Sequence, residues 1–305
     1  MNYAEIIQKS WYLTQQQPKL KWFVFVPSFI GVIIFAIEIA WQLFLFLDEW
    51  GYVKIDFLEV ILSVTGFVLQ SGLIVWIIIF VLLALFFMYI LPSWVEGVLI
   101  FSVKHLLFDP EQNIHMRQRM VQGFEVYFRI FETRALLGVF SPWTILLFSA
   151  TLYRYYHETL FKVIWPFLLL FGIISLFVTL FTHFAEHFVV YEEAAVVEAL
   201  RKSVTLVFLN IGSMMAVFLI MMLVNLRVMI NVLLVIGVPL AVIWIFTYYS
   251  SSFVQVLTII IAIILIALTS YLGAVLEIFS TAVWTHTYLF FKKQQAAIEH
   301  TQVGE

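Results

Sequence analysis

Four stretches of this chain, residues 22–47, 73–91, 161–184 and 253–272, carry few charged side chains, and each is long enough as a helix to cross a hydrocarbon core of about 30 Å. Runs of that length decide most of what the chain can become. In lipid every backbone N–H and C=O must be paired within the protein, which leaves helices or a closed barrel. A barrel reads as short alternating segments, and none is found here. Composition agrees: 64% of the residues are hydrophobic and 11% are charged, at a mean hydropathy of +1.05. Soluble domains carry about a quarter charged residues. The expected fold is therefore all-α, a polytopic helical membrane protein.

The first twenty residues are polar and amphipathic, with no short apolar core before a small-residue cleavage site, so the first span is expected to act as the insertion signal. The chain has no cysteine, which removes disulfides, thiolate nucleophiles and cysteine-based metal sites.

Residues 57–91 would measure about 52 Å as one helix, so the second span is placed at 73–91. At Pro92-Ser93-Trp94-Val95-Glu96 the pattern predicts a helix restart, with Ser93 as cap, Glu96 completing a capping box, and the helix running to Phe108. A third span is expected at 135–153, kinked near Ser141-Pro142, a fourth at 161–184, a fifth at 207–224, and a last one from 253 whose helix continues past the membrane. Residues 228–249 are apolar, but Asn231 and Pro239 interrupt them, so a re-entrant or interfacial segment is expected there.

With the N-terminus inside, Lys9, Lys19, Lys21, Lys104, Arg117, Arg119, Arg129, Arg134, Arg201, Lys202, Lys292 and Lys293 fall on the cytoplasmic side. Lys54, Arg154, Lys162 and Arg227 fall opposite. This bias predicts about six crossings, with both termini in the cytoplasm of a prokaryotic plasma membrane.

Between the spans lie segments of a second kind. Residues 191–210, YEEAAVVEALRKSVTLVFLN, wound as one helix, put Glu198, Arg201, Lys202 and Thr205 on one side. Val196, Val197, Leu200, Val204 and Val207 fall on the other, the pattern of a helix lying on a membrane surface. Glu198 precedes Lys202 by one turn. Weaker versions occur at Glu5 and Lys9 and at Glu125 and Arg129, the latter in a polar stripe of Gln118, Gln122, Glu125, Arg129 and Glu132. Each would precede a two-span hairpin, giving one transmembrane domain over 1–293 with repeats at 1–91, 92–184 and 185–293, and a polar tail at 294–305. Lys9, Arg129, Arg201 and Lys202 are the expected contacts to anionic lipid headgroups, each basic residue near the surface contributing about 1 kcal/mol.

The combination of EEAAVVEALRKSVTLVFLN with WVEGVLIFSVKHLL and GFEVYFRIFETRALLG resembles uncharacterised multi-pass prokaryotic proteins related to the membrane domain found beside some glycerophosphodiester phosphodiesterases. The likeness runs over nearly the whole chain, on a loose motif of acids and small apolar residues followed by Ala-Leu, a basic residue and Ser. It implies about six spans and no assigned activity. With residues 294–305 as a short polar tail, no soluble catalytic domain is expected here, and phosphodiesterase activity is not expected to come with the resemblance.

Local signals for chemistry are few. His183-Phe184-Ala185-Glu186-His187 is an H-x-x-E-H string. On one helix it would align two histidines as zinc ligands, with Glu186 to activate water and Glu192 or Glu193 as a third ligand. A five-residue match arises readily by chance, and an interfacial hydrogen-bonding cluster of His183, Glu186 and His187 is the ordinary reading. Glu38 falls inside the first span and Glu277 inside the last helix, where a lipid-facing charge would cost about 2.5–3.5 kcal/mol or more. Glu277 heads a stripe of Ser280, Thr281, Trp284 and Tyr288, with His286 nearby, which predicts either a polar path or interhelical hydrogen bonds. No phosphate loop, nucleophile elbow or paired-aspartate site is present, no cofactor is indicated, and the spread basic residues give no support for nucleic-acid binding. The expected function is that of a non-enzymatic lipid-interacting or membrane-organising module. The alternatives are a transporter of a small amphiphile or lipid using Glu38 or Glu277, and a membrane metallohydrolase using the H-x-x-E-H string.

Overall fold

A computed structural model describes residues 3–49, 86–108, 115–155, 157–226 and 252–303, together with positions 75, 78, 79, 82, 83 and 237. Most of the second expected span, and the segment 228–249, lie outside these residues. The described elements are helical, and among the described residues there is no strand. In order they are α1 (Tyr3–Gln16), α2 (Pro18–Glu49), a π-helical turn (Phe86–Ile90), α3 (Leu91–Phe108), α4 (Met116–Gly138), α5 (Pro142–Tyr155), α6 (His157–Thr182), α7 (Ala185–Glu192), α8 (Val196–Leu209), α9 (Ile211–Leu226) and α10 (Ser252–Val303).

Leu91–Phe108, Phe161–Glu192 and Ile263–Ala296 are long and apolar enough to cross a membrane. Two bent pairs, Tyr3–Gln16 with Pro18–Ile34 and Val196–Leu209 with Ile211–Leu226, bring the candidates among the described residues to five if each pair is one span. The all-α membrane fold expected from the apolar runs is the fold observed. Two local expectations are corrected. The crossing at 135–153 is broken by a turn after Gly138, beside the kink expected at Ser141-Pro142, and the α5 helix that follows measures about 21 Å, short of a hydrocarbon core. The helix restart at Pro92 is also absent. The π turn runs straight into α3, so Ser93 lies inside the helix and is buried. Pro92 lacks an N–H and crowds the carbonyl four residues earlier, and a widened turn at 86–90 relieves that clash.

Two compact units make up the chain: Met1–Leu20 with Ser93–Asn225 and Glu277–Glu305, and Lys21–Pro92 with Leu226–Leu276. In the second, α2 meets α10 through a small-residue contact. The Ser28 hydroxyl donates to the Ser270 carbonyl at 2.9 Å, and a Cβ at Gly273 would stand 2.7 Å from the Ser28 Oγ. Small and hydroxylated residues allow this approach where no hydrophobic gain separates protein from lipid.

In the first unit α3 and α4 cross on glycine. A Cβ at Gly123 would lie 2.5 Å from the Val98 side chain and 2.8 Å from its backbone nitrogen, and one at Gly97 would lie 3.2 Å from the Gly123 carbonyl. The Trp94 indole N–H donates to the Met120 carbonyl at 2.9 Å beside the crossing. The core around it includes Ile100, Val126, Ile130, Phe184, Phe188, Leu206, Trp284, Tyr288 and Phe291. Tyr288, 1% exposed, is ringed by Phe184, His187, Phe188 and Tyr191 at centroid distances of 5.1–5.9 Å.

Candidate functional site

The segment 191–210 folds as a corner. Tyr191 and Glu192 finish α7, Glu193 takes the left-handed conformation at φ 52°, and α8 begins at Val196. The pairs that spacing predicts at Glu5–Lys9 and Glu198–Lys202 form, each at 2.7 Å. Lys202 also reaches back across the corner to Glu192 at 2.9 Å, and Glu192 takes Lys292 at 2.7 Å. The Arg129 guanidinium donates to the Glu193 carbonyl at 2.6 Å, fastening α4 to the residue that turns the chain.

A second break, at His183-Phe184 between α6 and α7, is closed by the same motif. Ser203 of α8 is fully buried, and its hydroxyl accepts from the Phe184 N–H at 3.1 Å and donates to the Phe181 carbonyl at 2.8 Å. The serine of the Ala-Leu-basic-Ser string thus pairs backbone groups that a helix break leaves without partners. This moves the buried side of α8. Val196, Ala199, Ser203, Leu206 and Val207 face the core, whereas Val197 (77% exposed), Val204 and Phe208 (71% exposed) stand outside with Arg201. The five-valine/leucine side expected from hydropathy is therefore split, because the serine and alanine that lie against the break count for little on an apolarity scale.

On α4, Gly123, Val126, Ile130 and Thr133 are buried, and the expected polar stripe lies mostly exposed. Phe124 and Phe128 are exposed beside it. Their rings continue into Tyr127 and Phe131, with centroids 4.9 Å apart for Phe124–Tyr127 and 6.3 Å for Phe128–Phe131.

The H-x-x-E-H residues come together in space but not on one helix. His183 sits in the break and packs its ring at a tilt on Trp284, with centroids 3.9 Å apart, while His187 Nε2 lies 3.2 Å from the Thr285 hydroxyl. Glu186 points to Arg134 of α4, which meets it in a two-point fork at 2.7 and 3.2 Å. The same guanidinium takes Glu96 of α3 at 3.2 Å, and Glu277 of α10 also acts on it electrostatically. Burial alone would lower the Arg134 pKa. Glu186, Glu96 and the Glu186 hydrogen bond outweigh that and hold the guanidinium above its ordinary value. One cation thus serves carboxylates from three helices. Among the described residues no three histidine or carboxylate side chains are placed to hold a metal ion.

Glu277 therefore belongs to this cluster. Of its expected stripe, Thr281 lies 3.5 Å from Glu96, Trp284 packs on His183, and Tyr288 lies 3.5 Å from Glu192. His286 goes elsewhere: its Nδ1 is 3.1 Å from the Ser10 hydroxyl of α1. Glu38 lies on α2, in the other unit.

Two neighbouring open grooves, of about 610 and 570 Å³, lie against α1. Both are lined by Glu5, Lys9, Leu107 and His286; neither lining includes Glu277. The first reaches Leu13 and Leu106, and the second reaches Phe290, Lys292 and Lys293.

No family model, curated protein or solved structure matches the chain. Its function must therefore be argued from these side chains. The arrangement offers charged and aromatic groups at helix surfaces and an amphiphilic groove. Of the four expected headgroup contacts, Lys9, Arg129 and Lys202 make pairs inside the protein, and Arg201 stands exposed. Spacing could not reveal Ser203 or the Arg134 cluster, since their partners lie 19 or more residues away. The available signal for the cluster was a carboxylate, Glu96 or Glu277, within a largely apolar helix.

Proposed function

We propose that this chain is a non-enzymatic membrane module that seats amphipathic helices on an anionic lipid surface. The observation that supports this reading most is the outer side of α4 and α8, where exposed rings and aliphatic groups alternate with basic side chains. Phe124 and Phe128 flank Arg129, and Val197, Val204 and Phe208 surround Arg201. In water such faces are costly; at the headgroup level the apolar part enters the acyl boundary and the cations meet phosphates. The distribution of lysine and arginine supports a cytoplasmic placement of this layer in a prokaryotic plasma membrane. The reading is compatible with the resemblance to phosphodiesterase-associated membrane domains, taken without catalytic activity.

The test is reconstitution of the full chain in nanodiscs of graded phosphatidylglycerol content. Thermal stability should rise with anionic lipid, and Arg201→Glu with Phe128→Ser should flatten that dependence. Equal dependence in the variant and the parent refutes the reading. Lys202 is a poor probe, because its ion pairs hold the corner.

A further inference from the structure

We propose that the grooves beside α1 form one site for a single anionic glycerophospholipid, an inference that rests on the lipid-interacting reading above and gives it a defined ligand. The grooves share a wall and lie where two candidate spans meet polar chain. Leu107 is one residue from the end of Leu91–Phe108, and Lys293 follows the last apolar turn of Ile263–Ala296. A phospholipid phosphate sits at that level, with its acyl chains on the apolar side.

The lining matches such a molecule at both ends. Lys9 and Lys292 line it as members of ion pairs, with Glu5 and with Glu192, and Lys293 adds the cation that leaves the polar end net positive. His286 adds a ring nitrogen positioned by Ser10. The apolar end is a floor of Leu13 and Leu106, both buried, with Leu107 packed on them. Each groove lies within the size range of small-molecule sites, about 300–1,000 Å³, enough for a headgroup and the first methylenes. A diester phosphate between Lys9 and Lys293, with one acyl chain along Leu13 and Leu107, uses the charged and the apolar lining together. A zwitterionic lipid would bring a second cation into a site already rich in lysine.

The experiment is native mass spectrometry of the full chain in detergent, titrated separately with phosphatidylglycerol, phosphatidylcholine and glycerol phosphate. The parent should retain one phosphatidylglycerol at about tenfold lower concentration than phosphatidylcholine, and glycerol phosphate should not displace it. Lys9→Gln with Lys293→Gln should weaken retention about tenfold, and Leu107→Trp, which fills the floor without changing charge, should abolish it. Lys19→Gln, exposed on α2 and outside the groove lining, should leave it intact. Retention unchanged in both groove variants, equal retention of the two lipids, or displacement by glycerol phosphate would each overturn the site. The nanodisc dependence on Arg201 and Phe128 reads the surface layer separately, so either idea can fail alone.

Discussion

Ser203→Ala removes one oxygen and nothing else, and the structure says what that oxygen does. It pairs both the Phe184 N–H and the Phe181 carbonyl at the α6–α7 break, in a position with no exposed surface. Alanine keeps the fit of α8 but strands two backbone groups. An unsatisfied buried group costs about 1–3 kcal/mol. Membrane-protein hydrogen bonds measured by double-mutant cycles are weaker, near 0.6 kcal/mol, because the unfolded chain finds other partners in the bilayer. Two stranded groups of the backbone, which cannot rotate to find new partners, should fall between these limits, at about 2 kcal/mol. Unfolding in sodium dodecyl sulfate, followed by tryptophan fluorescence, reads the change. Ser203→Thr keeps the hydroxyl and should lose less than Ser203→Ala if the added methyl is accommodated. A loss for Ser203→Ala of under about 0.5 kcal/mol, below the usual net value of one hydrogen bond, would refute the argument that α8 closes the break.

Other substitutions test the remaining contacts by the same unfolding assay. Gly123→Ala should destabilise by about 1–3 kcal/mol, because the new methyl meets the Val98 backbone, which cannot move aside as a side-chain tip could. Glu193→Gly should stabilise by about 0.5–1 kcal/mol, since glycine adopts the left-handed conformation without the penalty glutamate carries; no gain would mean that the side chain compensates through other contacts. Arg134→Met should cost about 2–3 kcal/mol by leaving three carboxylates without their cation. The figure is set below the usual range for a fully buried pair because the arginine side chain is 37% exposed. Arg134→Lys should recover part of the loss but not the two-point fork to Glu186.

How much of this was legible depends on how far each interaction reaches along the chain. The apolar runs and the one-turn pairs Glu5–Lys9 and Glu198–Lys202 are local, and they could be read directly. The unbroken course of α10 was legible as far as Lys293, because a run with no proline and one glycine gives a helix no reason to stop, whereas its continuation to Val303 falls in the segment expected as a polar tail. The corner at Glu193 was not legible: left-handed positions announce themselves through glycine or asparagine, and here the residue is glutamate, held by Arg129 from another helix. Glu96 was misread for the opposite reason. Its local string spells a capping box, while its partner is Arg134 on α4. The spacing of His183 and His187 promised one helical face, but the break between them carries no proline or glycine and depends on a serine of α8. Sequence periodicity sees one element at a time, and the candidate site is made where several meet.

We place α4 and α8 in the lipid interface with their rings toward the acyl chains, and this claim is open to direct measurement. The chain has no cysteine, so single cysteines can be introduced for spin labelling without a background. Labels replacing Phe128 and Phe208 in anionic nanodiscs should relax strongly with oxygen and weakly with a water-soluble nickel chelate, and a label replacing Glu125 should show the reverse. Equal exposure of all three positions to the nickel chelate would contradict the claim.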